Sequence, residues 1–378
     1  MEMQEILLTD ELIAIEEKFN AHNYHPLPVV LKKGKGALLW DVEGKQYYDF
    51  LSGYSAVNQG HCHPKIIAAL IEQAQQLTLT SRAFHSDKLG DFAQFITSLF
   101  KYDKVLPMNS GVEAVETALK LARRWGYEKK GIENNLAKII VCSGNFHGRT
   151  LNVISFSADP DSKNGFGPFM PGYEMIPYND FNALEKALED ENVVGFLLEP
   201  IQGEAGVVVP DEGYLSKCAN LCKEKNVLFI ADEIQTGLAR TGKMLAIDYE
   251  NVKADILILG KALSGGILPV SAVLCNDEIM LNIKAGEHGS TFGGNPLACV
   301  VAKTALQVLI DENMAVKSFE LGHYFREKLI ALNSKHIAQV RGKGLLNAIV
   351  IKHEDPKAAY KLCLTLMENG LLAKPTHG

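Results

Sequence analysis

Two short apolar runs, Val227-Leu-Phe-Ile-Ala231 and Ile256-Leu-Ile-Leu-Gly260, constrain this chain more than any other feature. Both lack polar alternation and are rich in branched side chains, the pattern of strands buried on both faces of a parallel sheet. Similar runs lie at about 138–142 and 193–199, and helical spacing separates 193–199 from 227–231. Such a strand–helix rhythm predicts an α/β fold with a mostly parallel sheet, right-handed crossovers and helices packed on its faces.

Open sheets of this kind build their sites outside the carboxyl ends of the strands. The first run ends on Asp232-Glu233 and the second on Lys261, so a carboxylate and an amine reach the same edge. Taken singly, a lysine at a strand end is usually a solvated charge, and an Asp-Glu pair usually caps a turn. Together they are what a pyridoxal 5'-phosphate (PLP) enzyme requires. The lysine forms a Schiff base with the cofactor aldehyde, and the carboxylate pairs with the protonated ring nitrogen.

Composition removes other classes. The 378 residues are 22% charged and 47% hydrophobic, an ordinary globular balance, and too many for one small domain. A net charge of −7 without a Lys/Arg cluster argues against a nucleic-acid partner. No apolar run approaches the roughly 18 residues of a membrane span. Met1-Glu-Met-Gln-Glu-Ile6 carries acids where a secretory leader is basic and a transit peptide is acid-poor, so the cytoplasm is the expected compartment. Seven cysteines without regular spacing read as free thiols in a reducing environment. His61-Cys62-His63 and the Cys218/Cys222 pair lack the geometry and second pair that zinc needs, so no metal site is expected.

Residues 1–50 read as an N-terminal segment that joins a small domain, with a hairpin around 42–45. Residues 51–290 read as the large cofactor-binding domain, and 291–378 as a smaller α+β domain with a strand near 345–351 and a helix near 356–369.

Several segments carry ligand-binding character. Ser110-Gly-Val-Glu113 fits a capping box that opens a helix over about 112–128, and Gly111 lets a phosphate approach the free N–H groups there. Thr291 precedes a second helix start, Gly294-Asn-Pro296, and offers another hydroxyl. In Asn145-Phe-His-Gly-Arg-Thr150, Phe146 suits stacking on an aromatic ring and Arg149 suits a forked grip on a carboxylate. Glu199-Pro-Ile-Gln-Gly-Glu204 lies at another strand end. No Walker loop, dinucleotide fingerprint, nucleophile elbow or zinc helix is present.

In order along the chain, Gly60–Pro64, Asn109–Ala114, Phe146–Thr150, Glu199–Glu204, Asp232–Gly237, Gly260–Gly266 and Ser290–Pro296 resemble the class III (ω-) aminotransferases of fold type I. The likeness runs from about residue 20 to the end. His22-Asn-Tyr-His-Pro-Leu-Pro28 resembles the branch of that class that acts on ornithine, with lesser support from Val112 and from Ala205.

The resemblance implies PLP on Lys261, Asp232 on the ring nitrogen, Gln235 near the phenolic oxygen, and Phe146 stacked on the ring. It puts Ser110, Gly111 and Val112 at the phosphate and brings Thr291 there from the partner of a homodimer with interfacial sites. Tyr24, Tyr54 and Arg149 would surround the substrate. Ornithine would pass its distal amine to 2-oxoglutarate, giving glutamate 5-semialdehyde and glutamate. An acetylornithine or other ω-amino acid aminotransferase is the alternative. The family pattern continues past Gly378 with a second carboxylate-binding arginine, which Glu204 would mask during the ornithine half-reaction.

Overall fold

The computed structural model describes residues 8–376. A helix at Thr9–Phe19 leads into the meander β1 (Leu31–Lys35), β2 (Leu38–Asp41) and β3 (Gln46–Asp49), all antiparallel. The hairpin expected at 42–45 joins β2 to β3. Asp41 closes it, accepting from the backbone N–H groups of Glu43 and Lys45 at 3.0 and 2.8 Å, and from the Tyr47 hydroxyl at 2.8 Å.

The main sheet holds seven strands: β4 (Lys104–Met108), β5 (Lys138–Cys142), β6 (Tyr173–Ile176), β7 (Val193–Leu198), β8 (Leu228–Asp232), β9 (Ile256–Leu259) and β10 (Ser271–Cys275). Their order across the sheet is β4-β10-β9-β8-β7-β5-β6. Pairs from β9 through β6 are parallel, as the apolar runs predict, and β7, β8 and β9 are buried along their whole length. Only β10 runs antiparallel to its neighbours β4 and β9. The carboxyl ends of β4, β5, β7, β8 and β9 therefore share one edge, and the beginning of β10 joins them, with Ser271 opposite Met108.

A core lies on each face of this sheet. On one face the helix Gly111–Trp125 buries Val115, Ala118, Leu119, Ala122 and Trp125 against Ile139, Val141, Leu197, Ile230 and Ile258. Each buried Val, Leu or Ile side chain contributes about 1.5–3 kcal/mol and the alanines less, so this stripe holds the helix N-terminus firmly at the sheet edge. On the other face Phe196 and Phe229 meet edge-on among the side chains of helix Tyr214–Glu224. Cys218 and Cys222 lie on the buried face of that helix.

The rest forms two smaller sheets. β11 (Ile337–Lys343) and β12 (Leu346–Ile351) make an antiparallel pair, and β13 (Leu371–Leu372) adds parallel to β3. The N-terminal meander is thus built into the C-terminal part. Helix Pro296–Asp311, which a boundary at 291 assigns to the small domain, buries Ala298, Cys299, Ala302, Leu306 and Leu309 in the large core. We place the proposed boundary after Asp311. Among the described residues no helix is long and apolar enough to cross a membrane.

Candidate active site

Asp232 is the last residue of β8 and is buried. Its Oδ2 lies 2.7 Å from Nδ1 of the fully buried His147, and its Oδ1 accepts from the Ile234 N–H at 3.1 Å. Burial alone would lower the His147 pKa, but the hydrogen bond and charge of Asp232, aided by Glu199, outweigh it and hold His147 above its ordinary value. Glu233, one residue on, turns away. It is fully buried, accepts from Thr236 Oγ1 and from the Ile247 N–H, and ties down the loop after Leu245. The two adjacent acids therefore split into a site residue and a structural one.

Lys261 follows β9 in a left-handed backbone conformation, φ 44°. A residue other than glycine persists there only where its surroundings hold it, which is common at functional sites. Its amine is crowded, and burial lowers the pKa; the negative charges of Glu204, Asp232 and Glu199 offset that only in part. A lysine kept below its usual range is a better nucleophile and base near neutral pH.

Glu199 follows β7. Burial pushes its carboxyl up to about 7, against the opposing charge of His147. Its Oε1 accepts from the Phe146 N–H at 2.9 Å, which fixes the backbone that carries the Phe146 ring. That ring is 38% exposed, with the Arg149 guanidinium 5.7 Å from its centroid. Gln235 donates to Glu204 Oε1 at 2.9 Å, and a Cβ on Gly203 would collide with Gln235 Oε1, so only glycine permits this approach.

At the helix start, Ser110 and Glu113 form the expected capping box: Ser110 N–H donates to Glu113 Oε2 at 2.7 Å, and Glu113 N–H to Ser110 Oγ at 3.3 Å. Ser271 Oγ donates to the Ser110 carbonyl at 2.7 Å and locks the cap to β10. The first N–H groups of a helix have no partner within it, so Gly111 and Val112 present donors with a positive dipole end. Gly148, at φ 120°, packs so closely on Val112 that a Cβ would sit 2.5 Å from its Cγ2. Asn109 Nδ2 donates to Ser290 Oγ at 2.7 Å, while the neighbouring Thr291 and Phe292 are exposed.

Tyr54 sits in four successive residues with positive φ, Ser52 to Ser55 at 55°, 53°, 57° and 71°. Three of them are not glycine, so the turn is strained and must be held. Asp49 Oδ1 accepts from the Leu51 and Ser52 N–H groups at 2.9 and 2.8 Å, and Arg240 donates to Ser52 Oγ at 2.6 Å. Asp49 is itself held by His61 at 2.6 Å, and His63 bonds Glu312 at 3.0 Å. Just beyond the turn, Gln59 donates to the Ala262 carbonyl at 3.0 Å, so this segment lies against the Lys261 turn. Tyr24 is 66% exposed.

The residues present fit PLP: a crowded amine, a buried carboxylate hydrogen-bonded to an imidazole, an aromatic face beside them and a capped helix start with free donors. Sequence reasoning assigned no role to His147, Glu199 as an individual residue, or Ser271. The first two lie inside motifs already noted, and only their burial together marks them.

The sequence profile described as Aminotransferase class-III matches residues 19–378. The Rattus norvegicus protein named "Ornithine aminotransferase, mitochondrial" is 63% identical over 363 residues, 96% of this chain and 83% of that protein. A Drosophila melanogaster protein of the same name is 64% identical over 365 residues, 97% of this chain and 84% of that one. Among solved structures, the Toxoplasma gondii ornithine aminotransferase, described with partial PLP occupancy at its active site, gives a TM-score of 0.97 at 50% identity, covering 99% of this chain and 88% of that chain. The Elizabethkingia anophelis acetylornithine aminotransferase gives 0.91 at 63% identity, covering 98% and 92%.

Proposed function

The chain belongs to the class-III aminotransferase family, and from that premise we propose that it is an L-ornithine:2-oxoglutarate 5-aminotransferase. It is a PLP-dependent enzyme that works by a ping-pong route, releasing glutamate 5-semialdehyde before it takes 2-oxoglutarate and returns glutamate. The observation that carries the chemistry is Lys261 and Asp232 at adjacent strand ends, the amine depressed by burial and the carboxylate backed by His147.

PLP, when bound, supplies an aldehyde for amino groups and a ring that takes up the electrons left by a departing proton. Lys261 would hold it, and its Nζ would move the proton of the substrate carbon. Asp232 would pair with the ring nitrogen and favour its protonated form, and His147 holds the Asp232 side chain in place by its hydrogen bond. Gly111, Val112 and Ser110 would receive the phosphate, with Thr291 of the partner subunit. Phe146 would cover the ring, and Gln235 would stand by its phenolic oxygen. Arg149, Tyr24 and Tyr54 hold the far end of ornithine, and Glu204 guards the position where 2-oxoglutarate binds.

A homodimer belongs to this reading. The exposed Thr291-Phe292 and the exposed Phe146 support it, and sedimentation of the holoenzyme tests it. We also propose a cytoplasmic location, to which the seven free thiols add only that the compartment is reducing, and cell fractionation tests it.

The second reading, an acetylornithine aminotransferase, is favoured by the Elizabethkingia anophelis likeness. Incubation with 2-oxoglutarate and either ornithine or N-acetylornithine decides between them. Trapped semialdehyde from ornithine, with kcat/KM at least tenfold above the acetylated substrate, supports the first. The reverse ratio supports the second.

A further inference from the structure

Lys374 lies 320 residues from Tyr54 in sequence, yet its Nζ donates to the Tyr54 hydroxyl at 2.6 Å. The same ammonium stands 5.4 Å from the Tyr54 ring centroid and 5.9 Å from that of Tyr24. The segment is held on its other side too, since Thr376 Oγ1 donates to the Glu204 carbonyl at 2.6 Å. Lys374 is therefore bracketed by residues already assigned to the substrate's surroundings. Tyr54 in turn is fixed by a strained turn that packs against the Lys261 segment.

Charge gives the second observation. Among the described residues, neither Lys374 nor Arg149 has a carboxylate within ion-pair distance, although both border this site. An exposed lysine between two tyrosines gains only a modest cation–π attraction, about 0.5–1 kcal/mol. Two cations without protein counter-ions leave room for an anion of the substrate.

We propose that Lys374 is a specificity-determining residue whose ammonium receives the α-carboxylate of the amino-acid substrate, selecting α-amino acids with a distal amine over diamines that lack a carboxylate. This rests on the function proposed above. Arg149 supplies a planar fork, whereas Lys374 supplies a compact charge oriented by Tyr24 and Tyr54. The removal of that charge weakens ground-state and transition-state binding alike, so it raises KM and leaves kcat nearly unchanged.

The test compares wild type, Lys374→Met and Lys374→Arg as PLP-loaded enzymes, with ornithine and butane-1,4-diamine as amino donors. Lys374→Met is expected to raise the ornithine KM roughly five- to tenfold with kcat within about twofold, and to lower the ornithine-to-diamine ratio of kcat/KM by a similar factor. Lys374→Arg should stay within about twofold of wild type, and all three should show the same cofactor absorption. An unchanged ornithine KM in Lys374→Met overturns the assignment. Equal impairment of both variants, with equally lowered melting temperatures, overturns it as well, because the role is then structural. A wild-type enzyme that makes no semialdehyde from ornithine overturns the proposed function itself, a result distinct from either.

Discussion

His147 Nδ1 stands 2.7 Å from Asp232 Oδ2, with both side chains closed off from water. A carboxylate at that depth is costly unless a hydrogen-bonding group faces it, and the His147 ring, whose pKa Asp232 raises, is that group. The pair fixes the Asp232 carboxylate in place at the end of β8, where the proposed function has it meet a heterocyclic nitrogen.

Asp232→Asn is accordingly expected to keep PLP bound while losing transamination by roughly 10²–10³-fold, the usual loss when one preorganised electrostatic contact is removed. Turnover close to wild type, measured by semialdehyde release, would refute the role of Asp232.

Lys261→Ala should abolish the visible absorption that develops when PLP is added to the wild-type protein, together with all turnover. The expectation follows from the crowded amine at the end of β9. A mutant with the wild-type spectrum would assign the anchor to another lysine.

The sequence made this pair legible because strands buried on both faces are continuous apolar runs, and their ends point to the site edge. Strands β5, β7, β8 and β9 lie where those runs predicted. β4 was missed: it is an edge strand interrupted by Pro107, which breaks the pattern. The antiparallel direction of β10 is set by pairing with β4, far away in the chain, and apolar composition carries no direction. Likewise His147 meets Asp232 across 85 residues and Lys374 meets Tyr54 across 320, contacts that only tertiary packing creates.

Tyr24→Phe should raise the KM for ornithine roughly tenfold and that for 2-oxoglutarate less than about threefold, the effect of one hydrogen bond to a charged group. Steady-state kinetics with each substrate varied separately checks this. Equal losses for both would make Tyr24 a structural residue.

Glu233 provides a pH prediction outside the cofactor pocket. Burial pushes its folded pKa up to about 7 from an ordinary 4.5, so the folded protein holds this proton more tightly than the unfolded chain. That contribution is full below about 4.5 and is lost as pH rises through about 7. Glu233→Gln should therefore lose less stability than wild type between pH 5 and pH 8, a difference on the order of 1–3 kcal/mol. Urea denaturation at the two pH values reads it, and parallel pH dependence in the two proteins would contradict it.

The central claim is that Lys261 and Asp232 direct transfer of the distal amine of ornithine to 2-oxoglutarate. Isotope labelling tests it most directly: the enzyme is incubated with 2-oxoglutarate and ornithine carrying nitrogen-15 at either the distal or the α-amine, and the glutamate is weighed by mass spectrometry. Labelled glutamate from the distally labelled ornithine alone is the predicted result. Label arriving from the α-amine, or no labelled glutamate from either substrate, would contradict the account.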